Sequence, residues 1–124
     1  MKERNKAPEI GFKWIKIIEK DELFDGMPDE FYCLVSHFDC FFGPKIKSLA
    51  KSKEWDYHAF HVENKKCFGI QFHPEFTVDA ALNLFKNFEK KNIPHHNDKE
   101  LTDTTAIQEI LATNFVKICQ NAIK

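Results

Sequence analysis

Apolar positions change their spacing along this chain, and each spacing predicts an element. From Gly11 to Ile18 they alternate in part, at Phe12, Trp14, Ile15, Ile17 and Ile18, which predicts a strand. Phe31 to Val35 is a short apolar run ending at Ser36, the pattern of a central strand that delivers polar residues at one end. Ile46 to Ala50 and Tyr57 to Val62 are further strand candidates, the second setting Tyr57, Ala59 and His61 against His58, Phe60 and Val62. Cys67 to Phe72 is a fifth, apolar at Phe68, Ile70 and Phe72. Only Glu63-Asn64-Lys65-Lys66 separates the last two, a length that joins antiparallel neighbours and is too short for a parallel crossover.

After Glu75 the period becomes helical. Ala80, Ala81, Leu84, Phe85 and Phe88 predict a helix capped by Thr77 or Asp79 and running to about Lys91, where Asn92, Pro94 and His95-His96-Asn97-Asp98 stop it. A second helix starts at Thr102 or Asp103 and carries Ala106, Ile107, Ile110, Leu111, Phe115, Ile118 and Ala122 on one stripe, with Asn114 at its edge. Residues 1 to 10 are polar and broken by Pro8, which predicts a frayed start or a severed connection. Glu19 to Asp29 reads as a loop with one helical turn, closed by Gly26 and Pro28, and Phe41-Phe42-Gly43-Pro44 reads as a turn.

Composition narrows the possibilities. At 124 residues the chain is sized for one domain with one core, and no repeat or linker divides it. Eighteen basic against nineteen acidic side chains give a formal net charge of −1, no footprint for nucleic acid or an anionic membrane. No apolar run approaches the length of a membrane-spanning helix and residues 1 to 6 lack the apolar centre of a signal peptide, so the expected location is cytoplasmic. Four irregularly spaced cysteines then read as free thiols. The thirteen phenylalanines fall on core positions of the predicted elements.

The candidate chemistry lies where the fifth strand ends, at His73-Pro74-Glu75. Proline fixes its own φ and pushes the preceding residue to extended geometry, so His73 and Glu75 leave the strand in a defined relative orientation. A period of two points them to the same side. A carboxylate beside an imidazole accepts the Nδ1 proton and selects the tautomer whose Nε2 is free to take a proton from a nucleophile.

These residues carry a family resemblance. Gly69-Ile70-Gln71-Phe72-His73-Pro74-Glu75 resembles the His/Glu signature of the class I (Cys-His-Glu) glutamine amidotransferases. In family order, Glu9-Ile10-Gly11-Phe12 resembles the segment shortly after the nucleophile elbow, in the form of stand-alone members. Phe24-Asp25-Gly26-Met27-Pro28 resembles the "LF.GLP" turn, and Ser36-His37-Phe38-Asp39 the "SHGD" motif. The resemblance covers roughly residues 9 to 85. It implies an α/β fold: a mixed sheet from the C-terminal half of a flavodoxin-like amidotransferase domain, antiparallel around Tyr57 to Phe72, with two helices packed on it. It also implies hydrolysis of glutamine or a γ-glutamyl amide through a cysteine thioester, with His73 as base, Glu75 orienting it, and the backbone around Ser36, Phe38 and Asp39 holding the substrate. No cofactor is called for.

The family's nucleophile stands in a Gly-x-Cys-x-Gly elbow, and none of Cys33, Cys40, Cys67 and Cys119 lies between glycines. The chain therefore reads as a partial domain, inactive alone, whose N-terminal half or synthetase partner is supplied elsewhere. A non-catalytic remnant or interaction module with the same fold is the competing reading. An unpaired apolar strand edge is expected on the partial domain, and with it association. Cys40 has neither a neighbouring positive charge nor a glycine elbow and reads as structural. His58-x-x-His61, with Cys67 and His95-His96 further on, does not read as a metal site, because positions i and i+3 of a strand face opposite sides.

Overall fold

The computed structural model describes residues 2–41, 43–65 and 67–123, with side chains described for 9–39, 43–65 and 67–121. Six strands and two helices follow one another: β1 (Lys2–Ile17), a 3-10 turn (Glu22–Phe24), β2 (Glu30–Phe41), β3 (Ile46–Lys51), β4 (Ala59–Val62), β5 (Phe68–Ile70), β6 (Phe72–His73), α1 (Val78–Lys90) and α2 (Thr105–Ile123). The expected α/β architecture with C-terminal helices is present. Among the described residues every strand pairing is antiparallel, in the order β5-β4-β3-β1-β2-β6.

Two strands run further than their hydrophobic patterns. The polar start does not fray: β1 begins at Lys2 and pairs with β2 from Lys2↔Phe41 to Lys16↔Glu30, with an irregularity between Arg4 and Glu9. Ladder hydrogen bonds are indifferent to side-chain polarity, so a partner strand extends β1 through residues whose pattern is silent. For the same reason β2 continues through Ser36-His37-Phe38-Asp39 instead of ending at Ser36, and Phe41 is its last residue. The expected single strand Cys67 to Phe72 is divided at Gln71: β5 pairs with β4, and β6 pairs with β2 through Leu34↔His73 and Val35↔Phe72. Since one residue joins β5 to β6, the two ends of the sheet order meet and the sheet rolls up. The end strands of that order are three and two residues long, and because β3 meets β1 only at Lys16 and Ile17 and β6 meets β2 only at Leu34 and Val35, much of β1 and β2 has a strand partner on one side alone among the described residues.

The alternation of β1 and β2 sorts side chains to two faces. Ile15, Phe31, Cys33, Val35 and Phe72 share one core with Leu49, Ala50 and Ala59, and Leu111 and Ile118 of α2 pack on it. Ile10, Phe12, Tyr32 and Leu34 form the other, covered by Ala81 and Phe85 of α1. Thr77 caps α1, its hydroxyl accepting from the Ala80 N–H at 3.1 Å. Asn114 lies inside the α2 face, not at its edge: it is buried and its Nδ2 donates to the carbonyls of Leu23 and Asp25, both at 2.8 Å, tying α2 to the 3-10 turn.

The outer edge of β1 is covered by residues 96–98. His96 N–H donates to the Ile10 carbonyl and Asp98 N–H to that of Phe12, while Phe12 N–H donates to Asn97 Oδ1. This crossing explains Gly11, whose φ is +135° and whose added Cβ would lie 2.0 Å from the His96 carbonyl oxygen. Gly11→Ala is therefore expected to destabilise the fold by more than about 2 kcal/mol in urea unfolding, through combined strain and loss of the covering segment. An unchanged midpoint would contradict this packing.

Candidate functional site

His73 ends β6 opposite Leu34, so its side chain leaves on the face that carries α1. Pro74 is buried, and its carbonyl accepts from the buried Thr104 hydroxyl at 2.8 Å, which pins the turn at its centre. Beyond it, His73 Nδ1–H donates to Glu75 Oε1 at 2.8 Å. The tautomer follows from the acceptor: a carboxylate takes the Nδ1 proton and leaves Nε2 as the basic nitrogen. The ring packs edge-on against Phe76, 5.7 Å between centroids. His73 and Glu75 side chains remain 38% and 49% exposed, so a substrate can reach them.

The three residues expected to hold a substrate are not placed alike. Ser36, half-buried, lies on the His73 face, one diagonal step away across the β2–β6 pair, about 7–8 Å between Cα atoms. Phe38 shares that face and turns towards α1, its ring 6.3 Å from that of Phe88. Asp39 is on the opposite face, and its carbonyl accepts from His37 Nδ1–H at 2.9 Å. The register thus sets Ser36 and Phe38 on the His73 face, Ser36 the nearer along β2, and Asp39 on the other.

None of the described cysteines approaches His73 with a reactive thiol. Cys33 is fully buried beneath the turn, and burial pushes its thiol up to about 12, with the Glu75 charge adding to the shift. Cys67 and Cys119 are exposed, on the β4–β5 connection and on α2. The Cys40 side chain lies outside the described residues. An apolar cleft of about 270 Å³ between β5 and α2, lined by Phe68, Ile70, Pro74, Leu111 and Phe115 among others, contains neither His73 nor Glu75 and offers no acid or base.

A second polar cluster, which the sequence did not disclose, sits on the other face. Glu9 of β1 is buried and accepts from His37 Nε2 at 2.7 Å and His58 Nε2 at 2.8 Å, both on Oε1, and from Ser52 Oγ at 2.5 Å on Oε2. Trp55 N–H donates to Ser52 Oγ at 3.1 Å. Burial opposes ionisation of Glu9, but the hydrogen bonds from His37, His58 and Ser52 outweigh it and hold the carboxyl well below the usual carboxylate range. Burial, then the adjacent Glu9, pushes the neighbouring Glu54 carboxyl up. His58 and His61 do face apart, as the strand period requires: His58 is fully buried, and His61 stacks on Phe68 at 4.4 Å. His58 meets Glu9 across 49 residues of sequence, which no local spacing reveals.

A rolled α/β sheet that ends in a His-Pro-Glu turn, with the imidazole seated on the acid, defines the class of this domain. The chain belongs to the class-I glutamine amidotransferase family: the family described as "Glutamine amidotransferase class-I" matches residues 3–92. Among curated relatives, a subunit of the glutamine-hydrolyzing GMP synthase from Pyrococcus abyssi is 32% identical over 90 residues, 70% of this chain and 48% of the relative. The protein of the same name from Archaeoglobus fulgidus is 35% identical over 77 residues, 60% of this chain and 42% of the relative. The chain thus spans about half the length of these relatives. Solved structures share the fold. A glutamine amidotransferase from Thermotoga maritima aligns with a TM-score of 0.63 at 22% identity, over 92% of this chain and 46% of that one. One from Methylobacillus flagellatus gives 0.59 at 12% identity, over 95% and 51%. No helix among the described residues is long and apolar enough to cross a membrane.

The Cys33 environment makes a prediction. A thiol reagent is expected to label Cys67 and Cys119 in the native protein and Cys33 only on unfolding. Because the folded Cys33 holds its proton to higher pH than the unfolded one, the stability it contributes is complete below the ordinary value of 9.0 and is lost as pH rises towards about 12. Urea unfolding across that window should show a shallower loss for Cys33→Ala than for the parent. Native labelling of Cys33 at the rate of Cys67 would refute its burial.

Proposed function

We propose that this chain carries the base-and-orienter half of a glutamine amidotransferase site. In the complete domain a cysteine outside this chain attacks the side-chain amide of glutamine or a related γ-glutamyl amide. His73 Nε2 takes the thiol proton and then delivers a proton to the departing ammonia, while Glu75 holds the ring and stabilises the imidazolium. The observation that carries this reading is the 2.8 Å His73–Glu75 hydrogen bond on an accessible strand end. Ser36, Phe38 and Asp39 belong to the substrate-holding segment through their backbone, which tolerates the turn of Phe38 towards α1 and of Asp39 to the opposite face.

The partner follows from the same reading. The relatives are named as subunits of a glutamine-hydrolyzing GMP synthase, so the ammonia released goes to a synthetase, and the nucleophile comes from an N-terminal half of the domain. The site requires neither metal nor organic cofactor for this step, and the protein works in the cytoplasm. The alternative is a remnant that keeps the fold and lacks the chemistry. It is favoured by the burial of Cys33 and the distant placement of Cys67 and Cys119.

Two experiments separate these readings. Incubated with glutamine, the purified chain is expected to release ammonia only at the background rate. Reading the coding sequence upstream of residue 1 then decides between the two: a Gly-x-Cys-x-Gly stretch in frame supports the enzyme, and unrelated sequence supports the remnant. In the polypeptide that contains the elbow, His73→Asn should slow glutamine hydrolysis by about 10²–10⁴-fold, the range a positioned general base contributes. Turnover by the isolated chain that disappears in Cys40→Ala would overturn the proposal.

A further inference from the structure

The cluster on the opposite face from His73 poses a donor-and-acceptor problem. His37 Nδ1 faces the Asp39 carbonyl at 2.9 Å, and a carbonyl can only accept, so Nδ1 carries a hydrogen. A neutral imidazole then presents a lone pair at Nε2, yet Nε2 lies 2.7 Å from a carboxylate oxygen of Glu9. Two lone pairs do not rest at that distance without a positive species between them. The same oxygen meets His58 Nε2 at 2.8 Å. One carboxylate oxygen therefore faces two imidazole nitrogens, inside a protein where all three residues are buried. Without an ion, the second ring hydrogen of His37, donated to Glu9, satisfies this centre; a bound cation can take the place of that proton.

We propose that Glu9, His37 and His58 form a divalent transition-metal site of the zinc type. The donor set is two imidazole nitrogens and one carboxylate oxygen, all within 4.8 Å of one another and supplied by three separate segments: β1, β2 and the β3–β4 connection. This is the borderline-hard set that zinc, cobalt and nickel prefer. Two of the three ligands are oriented by an outer partner, whereas His58 Nδ1 is buried without one. His37 gives its other ring hydrogen to a backbone carbonyl, and the second oxygen of Glu9 is held by the Ser52 hydroxyl. Ser52 Oγ, 3.0 Å from His58 Nε2, stands on the remaining side as a fourth oxygen.

The fit requires a small expansion. Tetrahedral zinc with bonds of roughly 2.0–2.2 Å separates its ligand atoms by about 3.3 Å, so the pairs at 2.7 and 2.8 Å open by about half an ångström each. Glu9 contributes one negative charge to the ion, and the neighbouring Glu54 side chain, 44% exposed, lies on the solvent side of the cluster. The ion would brace the end of β2, where Ser36 and Asp39 lie, against β1 and the β3–β4 connection. It would take no part in the chemistry at His73, so this site stands or falls independently of the amidotransferase reading.

The experiment uses the full chain, stripped with chelator, returned to buffer and titrated with Zn²⁺, with Co²⁺ as the spectroscopic probe. The expected result is one zinc retained per chain through desalting, a raised thermal midpoint, and a cobalt spectrum free of a thiolate charge-transfer band. His58→Gln, which keeps a polar side chain in the cluster, should weaken binding by at least about 100-fold, since even the loss of an outer partner costs about 10–100-fold. His61→Gln and the double change Cys67→Ser with Cys119→Ser should leave it unaltered. Imidazole resonances of His37 and His58 that do not move on adding zinc to the folded protein would overturn the proposal. So would zinc binding that follows the cysteines instead of His58.

Discussion

One backbone hydrogen bond, from Gln71 N–H to the His58 carbonyl at 2.7 Å, holds the point where a strand leaves β4 and joins β2. Both parts of the strand pair antiparallel with their neighbours, yet the chain of antiparallel pairings from β2 through β1 and β3 sets β4 opposite to β2 in a flat sheet. A strand antiparallel to both needs the sheet to twist and roll, which the ordinary twist of about 20–25° per pair begins and the roll completes. Gln71 absorbs the remaining change of direction. Because the strand changes partner there, Phe72 enters the interior against Phe31, with ring centroids 5.1 Å apart, and His73 emerges on the other side.

The two faces of that sheet carry two polar clusters with opposite physics. Glu9 and its three donors are buried, and an uncompensated charge there would cost several kcal/mol, so every polar contact around the carboxylate is a structural necessity. The His73–Glu75 pair is half-exposed, where an ion pair contributes at most about 1 kcal/mol to stability. Such a pair is not what holds the turn. The buried bond from Thr104 to the Pro74 carbonyl does that, which leaves the imidazole and the acid free of a folding role.

Local pattern disclosed the helices, the Thr77 cap and the strands that bury apolar side chains, because each of those leaves a period in the sequence. It also anticipated that His73 and Glu75 meet, since the proline between them fixes their relation within three residues. What it missed was long-range. The extension of β1 back to Lys2 and of β2 on to Phe41 comes from ladder bonds that do not read side chains. The break at Gln71 comes from two competing partner strands. Glu9, His37, Ser52 and His58 meet only after the sheet rolls, so the spacing of His58 and His61, which face apart, passes over the neighbours that matter. The requirement for glycine at position 11 likewise lies in residues 96–98, far along the chain.

Everything at the His73 turn rests on Glu75 fixing the tautomer of the imidazole, and the long-range ¹H–¹⁵N spectrum of the histidine rings reads that directly. Recorded well above the ordinary imidazole value, it should show His73 protonated at Nδ1 and bare at Nε2, with Glu75→Gln abolishing that preference. A His73 protonated at Nε2, or one indifferent to the loss of Glu75, would contradict it.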